Sequence, residues 1–395
     1  MVDSAPVARA RARERSDGYR RGGRGGVRRK LIWAIALAAA GLLLSACSNG
    51  GPQDTWDPAG PVAQQQKDLL VPILWIAAGV FVFVEGGFIL ISLRFRHRKG
   101  RDRIPAQTHG NSRLEIGWTI APAVVLAIVM VPTVAMIWEL DVRDPEAMQV
   151  TVKGYQWWWG FEYADEDMTT AYGEGQPIIL ADVLVIPEDT PVELTLVTAG
   201  GGARDEAGVP DFQVNHSFWV PRLFGKQDAI PTDEGHILFS ADEPGTYWGQ
   251  CAEFCGLQHT KMKFRVVVLD QPSWETWVAR QKEGGDLPAD PLAAQGMDLF
   301  LNGDFEGGQC TACHTIGDTS AAGTAGPNLT HFADPTHECF AGCDWETYVD
   351  GQPNLEALKA WLRDPGAVKQ GAKMPDYDLT EDEIDAIAAY LYSLR

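Results

Sequence analysis

The sequence predicts a multidomain chain of three structural classes: a two-helix transmembrane hairpin, an all-β sandwich and an all-α C-terminal domain. Three observations lead there. Two apolar runs, 69–93 and 118–138, reach the ~20 residues a helix needs to cross a bilayer. Between 150 and 269 the pattern changes to short β-rich segments separated by Gly, Pro and Asp. From 291 onward apolar residues recur at helical spacing. A length of 395 residues leaves room for about two domains plus accessory segments.

The elements follow in chain order. Residues 1–30 hold ten Arg or Lys against three acids, although the whole chain carries -20. The remainder is therefore strongly acidic, which repels nucleic acid and attracts basic partners. Next comes "LIWAIALAAAGLLLSAC", an apolar run over 31–44 that is too short for a span and ends in small residues. This is the layout of a secretory signal. The stretch "LSAC" resembles a bacterial lipoprotein cleavage box, which implies removal of 1–46 and a lipid on Cys47. Seven cysteines is an odd count, and Cys47 accounts for the odd one.

Residues 47–145 then hold the hairpin, with spans at 69–93 and 118–138. Its connecting loop carries Arg94, Arg96, Arg98, Lys99, Arg101, Arg103 and Arg113, and the positive-inside rule puts such a loop in the cytoplasm. Both outer ends then face the exterior of a bacterial plasma membrane, in agreement with a lipid at the outer leaflet. Residues 146–272 read as an antiparallel sandwich or barrel, with "TAGGGARDEAGVPD" as an exposed loop. Residues 273–290 are charged and Gly/Pro-bearing and read as a linker. The domain over 291–395 closes on "LTEDEIDAIAAYLYSL", with a Thr380 N-cap and apolar Ile384, Ile387, Ala388 and Leu391.

In that last domain lies "CTACH", Cys310 to His314. A C-x-x-C-H run attaches c-type haem: both thiols bond the macrocycle and the adjacent His ligates iron. A zinc half-site would want a second C-x-x-C, which is absent from the sequence. Met374 in "GAKMPDY" lies in a loop ahead of the last helix and suits the second axial position, whereas Met297 sits on the opening helix. The segment resembles class I cytochrome c through Gly296 and Phe300, "CTACH", the "GPNL" turn with Pro327, the Met374 loop and Tyr390. Cys339 and Cys343 depart from the common pattern, and outside the cytoplasm they are expected to form a disulfide.

A second cluster lies in "GQCAEFCGLQHTKM". Thiolates and a thioether together favour copper over zinc. Cys251, Cys255, His259 and Met262, with His216 from "NHSFWVP", are more ligands than one copper wants and suit two coppers sharing the cysteines. The constellation resembles the dinuclear copper-A site of cytochrome c oxidase subunit II, with a cupredoxin-like sandwich. The resemblance runs from about 69 to 270 through "HGNSRLEIGWTIAPA", "GYQWWWGFEY" and "GKQDAIP". It implies that Cys251 and Cys255 bridge two coppers, that His216 and His259 bind one each, and that Met262 and the Glu253 carbonyl complete them. It further implies that the Glu253 side chain reaches a magnesium site shared with subunit I, that Trp157 passes electrons inward, and that Glu115 stands at the mouth of a proton channel. Gln213 falls where many relatives carry an acid.

Together the two resemblances imply subunit II of a caa3-type oxidase, with haem c, copper-A and magnesium as cofactors. Its implied partners are subunits I and III and a cytochrome c or cytochrome bc complex as donor. Two rivals stand beside it: the copper-A subunit of a nitric-oxide reductase, and a stand-alone membrane-anchored electron carrier. Quinol oxidase subunits share the fold but lack the copper ligands.

Overall fold

The computed structural model describes residues 50–96, 107, 109–172, 175–199, 213–285, 287–337, 339–343, 348–349 and 352–395, with isolated positions between 33 and 41. Cys47 and nearly all of the expected signal segment 1–46 lie outside the described residues.

The two apolar runs form helices α1 (Pro61–Phe95) and α2 (Ser112–Leu140). Their side chains are largely exposed, Trp75 at 76% and Phe83 at 81% among them, as expected of a surface built for lipid and partner protein. Pro122 and Pro132 both lie inside α2. Asn111 caps this helix by accepting from the Arg113 and Leu114 amides, so the chain turns into the span at a satisfied end. The helix α1 starts eight residues before the apolar run, because its first turn is held by the sandwich. There the Ala59 and Ala63 amides donate to the carbonyls of Arg222 and Leu223, at 2.8 and 3.2 Å. The hairpin is thereby tied directly to the β domain.

Among the described residues, ten strands make two five-stranded sheets. One sheet has the order β3 (Ile179–Ala181), β2 (Trp158–Tyr163), β1 (Met148–Tyr155), β5 (Val192–Thr198), β8 (Gly235–Phe239). The other has β4 (Val183–Pro187), β10 (Lys263–Leu269), β9 (Gly245–Cys251), β6 (His216–Trp219), β7 (Gln227–Ala229). The expected sandwich is present, but two of its pairs, β1 with β5 and β4 with β10, run parallel. Alternation of side chains reports which face is buried and is silent on strand direction, so the sequence pattern could not separate the two. The chain leaves the first sheet at Ala181 and joins the second at Val183, so the single residue Asp182 makes the corner.

The reading of 273–290 as a linker is corrected over its first part, where Gln271–Gln281 form helix α3. Asp270 caps it by accepting from the Ser273 amide at 2.9 Å. Trp274, Trp277 and Gln281 recur at helical spacing and are buried. Trp277 lies 5.7 Å from the Tyr163 ring, centroid to centroid, and both tryptophans join the sandwich core. Glu275 lies on the exposed face, and Arg280 pairs with the buried Asp334 at 2.7 Å.

The C-terminal domain is built on α4 (Pro291–Asn302), α5 (Leu355–Arg363), the short α6 (Pro365–Val368) and α7 (Glu381–Ser393). A two-stranded ribbon, Tyr348–Val349 with Gln352–Pro353, is added to this otherwise helical domain. A Cβ on Gly296 would run into the Ala386 backbone, so α4 and α7 cross at the closest distance that glycine allows. Thr380 and Glu383 form a reciprocal capping box at the start of α7.

Candidate metal centres

Strand β6 begins at His216, and β9 delivers Cys251 beside it, since Phe218 pairs with Cys251 across the two strands. The chain then turns through Gly256, whose φ of +119 is open to glycine and strained for other residues. A short 3-10 turn, His259–Lys261, and the start of β10 bring His259 and Met262 back to the same place.

Six candidate ligands meet there. The Cys251 and Cys255 sulfurs are 3.8 Å apart. His216 Nδ1 is 3.8 Å from the Cys251 sulfur, and His259 Nδ1 is 3.7 Å from that of Cys255. The Met262 sulfur lies 3.8 Å from Cys255, and the Glu253 carbonyl oxygen lies 3.2 Å from Cys251. His216, Cys251, Cys255 and Met262 are all buried, whereas the Glu253 side chain is exposed. Cys251 is held well toward the thiolate by its hydrogen bond with Cys255, with help from His216 and the Ser217 amide. The Cys255 thiol is pushed up by the same partner and by burial. Two buried thiols with an imidazole on each flank, a thioether and a carbonyl are a donor set for two soft metal ions sharing the sulfurs. The residues present fit a dinuclear copper centre.

Around the centre the fit is close. A Cβ on Gly154 would come within 2.8 Å of the His216 ring. Trp157 donates its indole N–H to the Cys255 carbonyl at 2.9 Å, and Gln156 donates to the same oxygen at 2.8 Å. Trp157 is therefore one hydrogen bond from a ligand's backbone. Gln213 instead donates to the Thr198 carbonyl at 3.4 Å. Glu115 is remote from this centre, in the first turn of α2, with its carboxylate against Gly110.

In the helical domain, the turn Cys310–Ala312 places Cys310, Cys313 and His314 together, with both thiols free and half-buried. Burial pushes the Cys310 thiol up to about 11 and lowers the His314 imidazole, so both are neutral at pH 7. The His314 Nδ1 lies 2.8 Å from the Pro327 carbonyl, which makes Nδ1 the donor and leaves Nε2 as the ligating atom. Gly326 sits so close to the ring that a Cβ would reach within 2.7 Å of it. Met374 is half-buried at the edge of the domain core. Two free thiols and an oriented imidazole fit a covalently attached haem that Cys310, Cys313 and His314 would hold, and Met374 of the same domain would offer a thioether to the iron. The Met374 sulfur accepts a hydrogen bond from the Trp361 indole at 3.1 Å, a contact that no motif announced. Cys339 and Cys343 are joined by a disulfide.

Comparison with known proteins agrees with this division of the chain. Residues 52–136 match the family model described as "Cytochrome C oxidase subunit II, transmembrane domain", and 148–269 match "Cytochrome C oxidase subunit II, periplasmic domain". Residues 293–395 match "Cytochrome c". The chain is 35% identical over 368 residues to cytochrome c oxidase subunit 2 of Alkalihalophilus pseudofirmus, covering 91% of this chain and 96% of the relative. It is 35% identical over 376 residues to the corresponding protein of Bacillus sp. PS3, covering 90% and 94%. Quinol oxidase subunit 2 of Bacillus subtilis is 30% identical over 64% of this chain and 72% of that relative. The match to the first two takes in all three parts of the molecule: the chain belongs to the cytochrome c oxidase subunit II family, in a form that carries its own C-terminal cytochrome c domain, and is a component of a membrane haem-copper oxidase complex with subunit I.

Proposed function

We propose that this subunit works as a two-centre relay, taking electrons from an external donor at haem c and passing them through copper-A to subunit I, where oxygen is reduced. Two sets of candidate ligands in one chain support this reading. These are Cys310, Cys313, His314 and Met374 for the haem, and His216, Cys251, Glu253, Cys255, His259 and Met262 for the coppers. When bound, each group stores and releases one electron with its coordination closed, which suits transfer rather than oxygen chemistry.

The protein's own contribution is to hold these ligands still and dry. Pro327 fixes the tautomer of His314, Gly154 backs His216, and Gly256 lets the loop pass under Trp157. Trp157 is assigned as the electron path into copper-A, Glu115 as the mouth of a proton channel, and the Glu253 side chain as a ligand of magnesium shared with subunit I. Phe254 and Leu257, 75% and 69% exposed beside the copper ligands, are assigned to the face that subunit I covers. Subunit III completes the complex. Cys47 is assigned as the lipidated N-terminus, with both metal domains on the outer face of the plasma membrane, a reading supported by the basic loop between the spans. Residues 291–395 carry 17 acidic against five basic residues, which supports a basic cytochrome c or a basic face of a cytochrome bc complex as donor.

Electron paramagnetic resonance of the purified complex tests the copper assignment: one electron shared over two coppers is expected, and a single-copper signal would overturn it. Turnover with oxygen against nitric oxide separates an oxidase from a nitric-oxide reductase.

A further inference from the structure

The cytochrome domain meets the copper domain at the sheet-to-sheet corner. Asp182, with φ of 57, is buried at 4% exposure. Its carboxylate accepts from the Trp159 amide at 3.0 Å in its own domain and from the Gly342 amide of the cytochrome domain. The Cys339–Cys343 disulfide belongs to the sandwich core rather than to the haem domain's core, at 1% and 0% exposure. Its sulfurs lie 3.4 and 3.5 Å from the Asp182 carbonyl oxygen. Arg265 of β10 donates to the Cys343 carbonyl at 3.0 Å, and His337 donates through Nε2 to the Ala181 carbonyl at 3.1 Å.

A second contact leads to Trp157. Lys369, only 5% exposed, crosses from the cytochrome domain to donate to the Trp157 carbonyl at 2.5 Å. Its ammonium is also the leading opposite charge at Asp182. The next carbonyl, of Gln370, accepts from Gln258 at 2.7 Å. Gly371, with φ of +81, then lies over the Trp157 indole, where a Cβ would sit 3.2 Å from Cζ3. Met374 follows three residues later. A lysine buried across a domain boundary is costly to leave without its acceptor, so parting the two domains here is penalised.

We propose that His337, the disulfide Cys339–Cys343 with Gly342, and Lys369 form a clamp that seats the cytochrome domain on the Asp182 corner and positions the Met374 loop over Trp157. These are positioning residues for electron transfer within the chain, and the proposal rests on the two-centre reading above. In that transfer one electron leaves the haem iron, ferrous becoming ferric, and one electron reduces the oxidised copper pair; no bond or proton moves. A docked domain makes the transfer independent of diffusion, in contrast to a domain swinging on residues 282–290.

The test uses the full chain in its complex and two changes, Lys369→Met and the double change Cys339→Ser with Cys343→Ser. Hydrogen exchange, which needs no cofactor, should show lost protection at 179–185 and 368–371 while α4 and α7 stay protected. Light-triggered transfer from haem to copper should be viscosity-independent in the parent. In both variants it should become viscosity-dependent and about tenfold or more slower, because small misplacements of reacting groups cost orders of magnitude. The haem bands and the copper resonance should remain those of the parent. Exchange and transfer rates indistinguishable from the parent in both variants would overturn the clamp, as would viscosity-dependent transfer in the parent. No haem-to-copper transfer in the parent at all would instead strike the two-centre reading, leaving hydrogen exchange to decide the clamp alone.

Discussion

The Trp361 indole N–H points at the sulfur of Met374, 3.1 Å away. A thioether that donates one lone pair to iron has a second to accept this hydrogen bond, and the donor draws electron density from the sulfur. Less density at the axial ligand favours ferrous over ferric iron. Trp361→Phe should therefore lower the haem potential. A hydrogen bond worth ~1 kcal/mol corresponds to roughly 40 mV for a one-electron couple. Redox titration of the haem band measures it; an unchanged potential would mean that the bond does not survive haem binding.

Copper removal should turn the Cys251 and Cys255 pair into a vulnerable dithiol. Their sulfurs are 3.8 Å apart and Cys251 is held toward the thiolate, the form that attacks other sulfurs. After chelation, mild oxidation should consume two thiols and block reloading, and a reductant should restore it. Thiol titration before and after copper removal reads the outcome directly.

Two buried groups set the clamp's response to acid. Burial holds the His337 imidazole below its ordinary 6.5, against the pull of Asp334, so its stabilising contribution is present above that value and lost as pH falls through the lowered one. Asp182 runs the other way. Burial raises its carboxyl to about 6 despite Lys369 and Arg265, so its favourable contribution is present below 3.8 and lost as pH rises through 6. At 1.36 kcal/mol per unit, the two-unit rise amounts to ~3 kcal/mol as an upper figure. Between pH 7 and 5 the two effects oppose each other. His337→Gln keeps a donor for Ala181 but removes the acid-sensitive charge, so this variant should hold 179–185 more firmly at pH 5 than at pH 7. Hydrogen exchange corrected for intrinsic rates checks the sign.

The residues that gather at the two candidate centres were legible because chemistry restricts such groupings: a thioether beside two thiols and imidazoles has few uses, and C-x-x-C-H has fewer. The spans were legible from length alone. Helix α3 was not, because its two buried tryptophans stand just ahead of the charged and Gly/Pro-bearing stretch 282–290, which coloured the reading of the whole segment. Nor were Trp361, Lys369 and Asp182. Each acts through a partner more than ten residues away in the chain, and a lone Lys or Asp in sequence looks like any solvated charge. The parallel strand pairs were invisible for a related reason: they depend on where the chain crosses between sheets, at Asp182 on the way out and over 188–191 on the way back.

Gly154 offers a last check on how tightly the copper ligands are held. It sits on β1, directly behind His216, in the sequence "GYQWWW", where the aromatic run draws attention and the glycine does not. A Cβ there would lie 2.8 Å from His216 Cδ2 and 3.2 Å from Trp159 Cζ3. Trp159 is fully buried and packs edge-on against Phe218 at 5.0 Å, so it cannot retreat. The imidazole must yield instead, and its Nδ1 is the atom that faces Cys251. Gly154→Ala should therefore displace one ligand of one copper while leaving the sandwich folded, at a cost in stability of about 1–3 kcal/mol for overpacking. The copper resonance should lose its even sharing over two ions, and Gly154→Ala chain should release copper to a chelator faster than the parent. An unaltered resonance in a variant of reduced thermal stability would show that the strain is taken up by the strand rather than by His216.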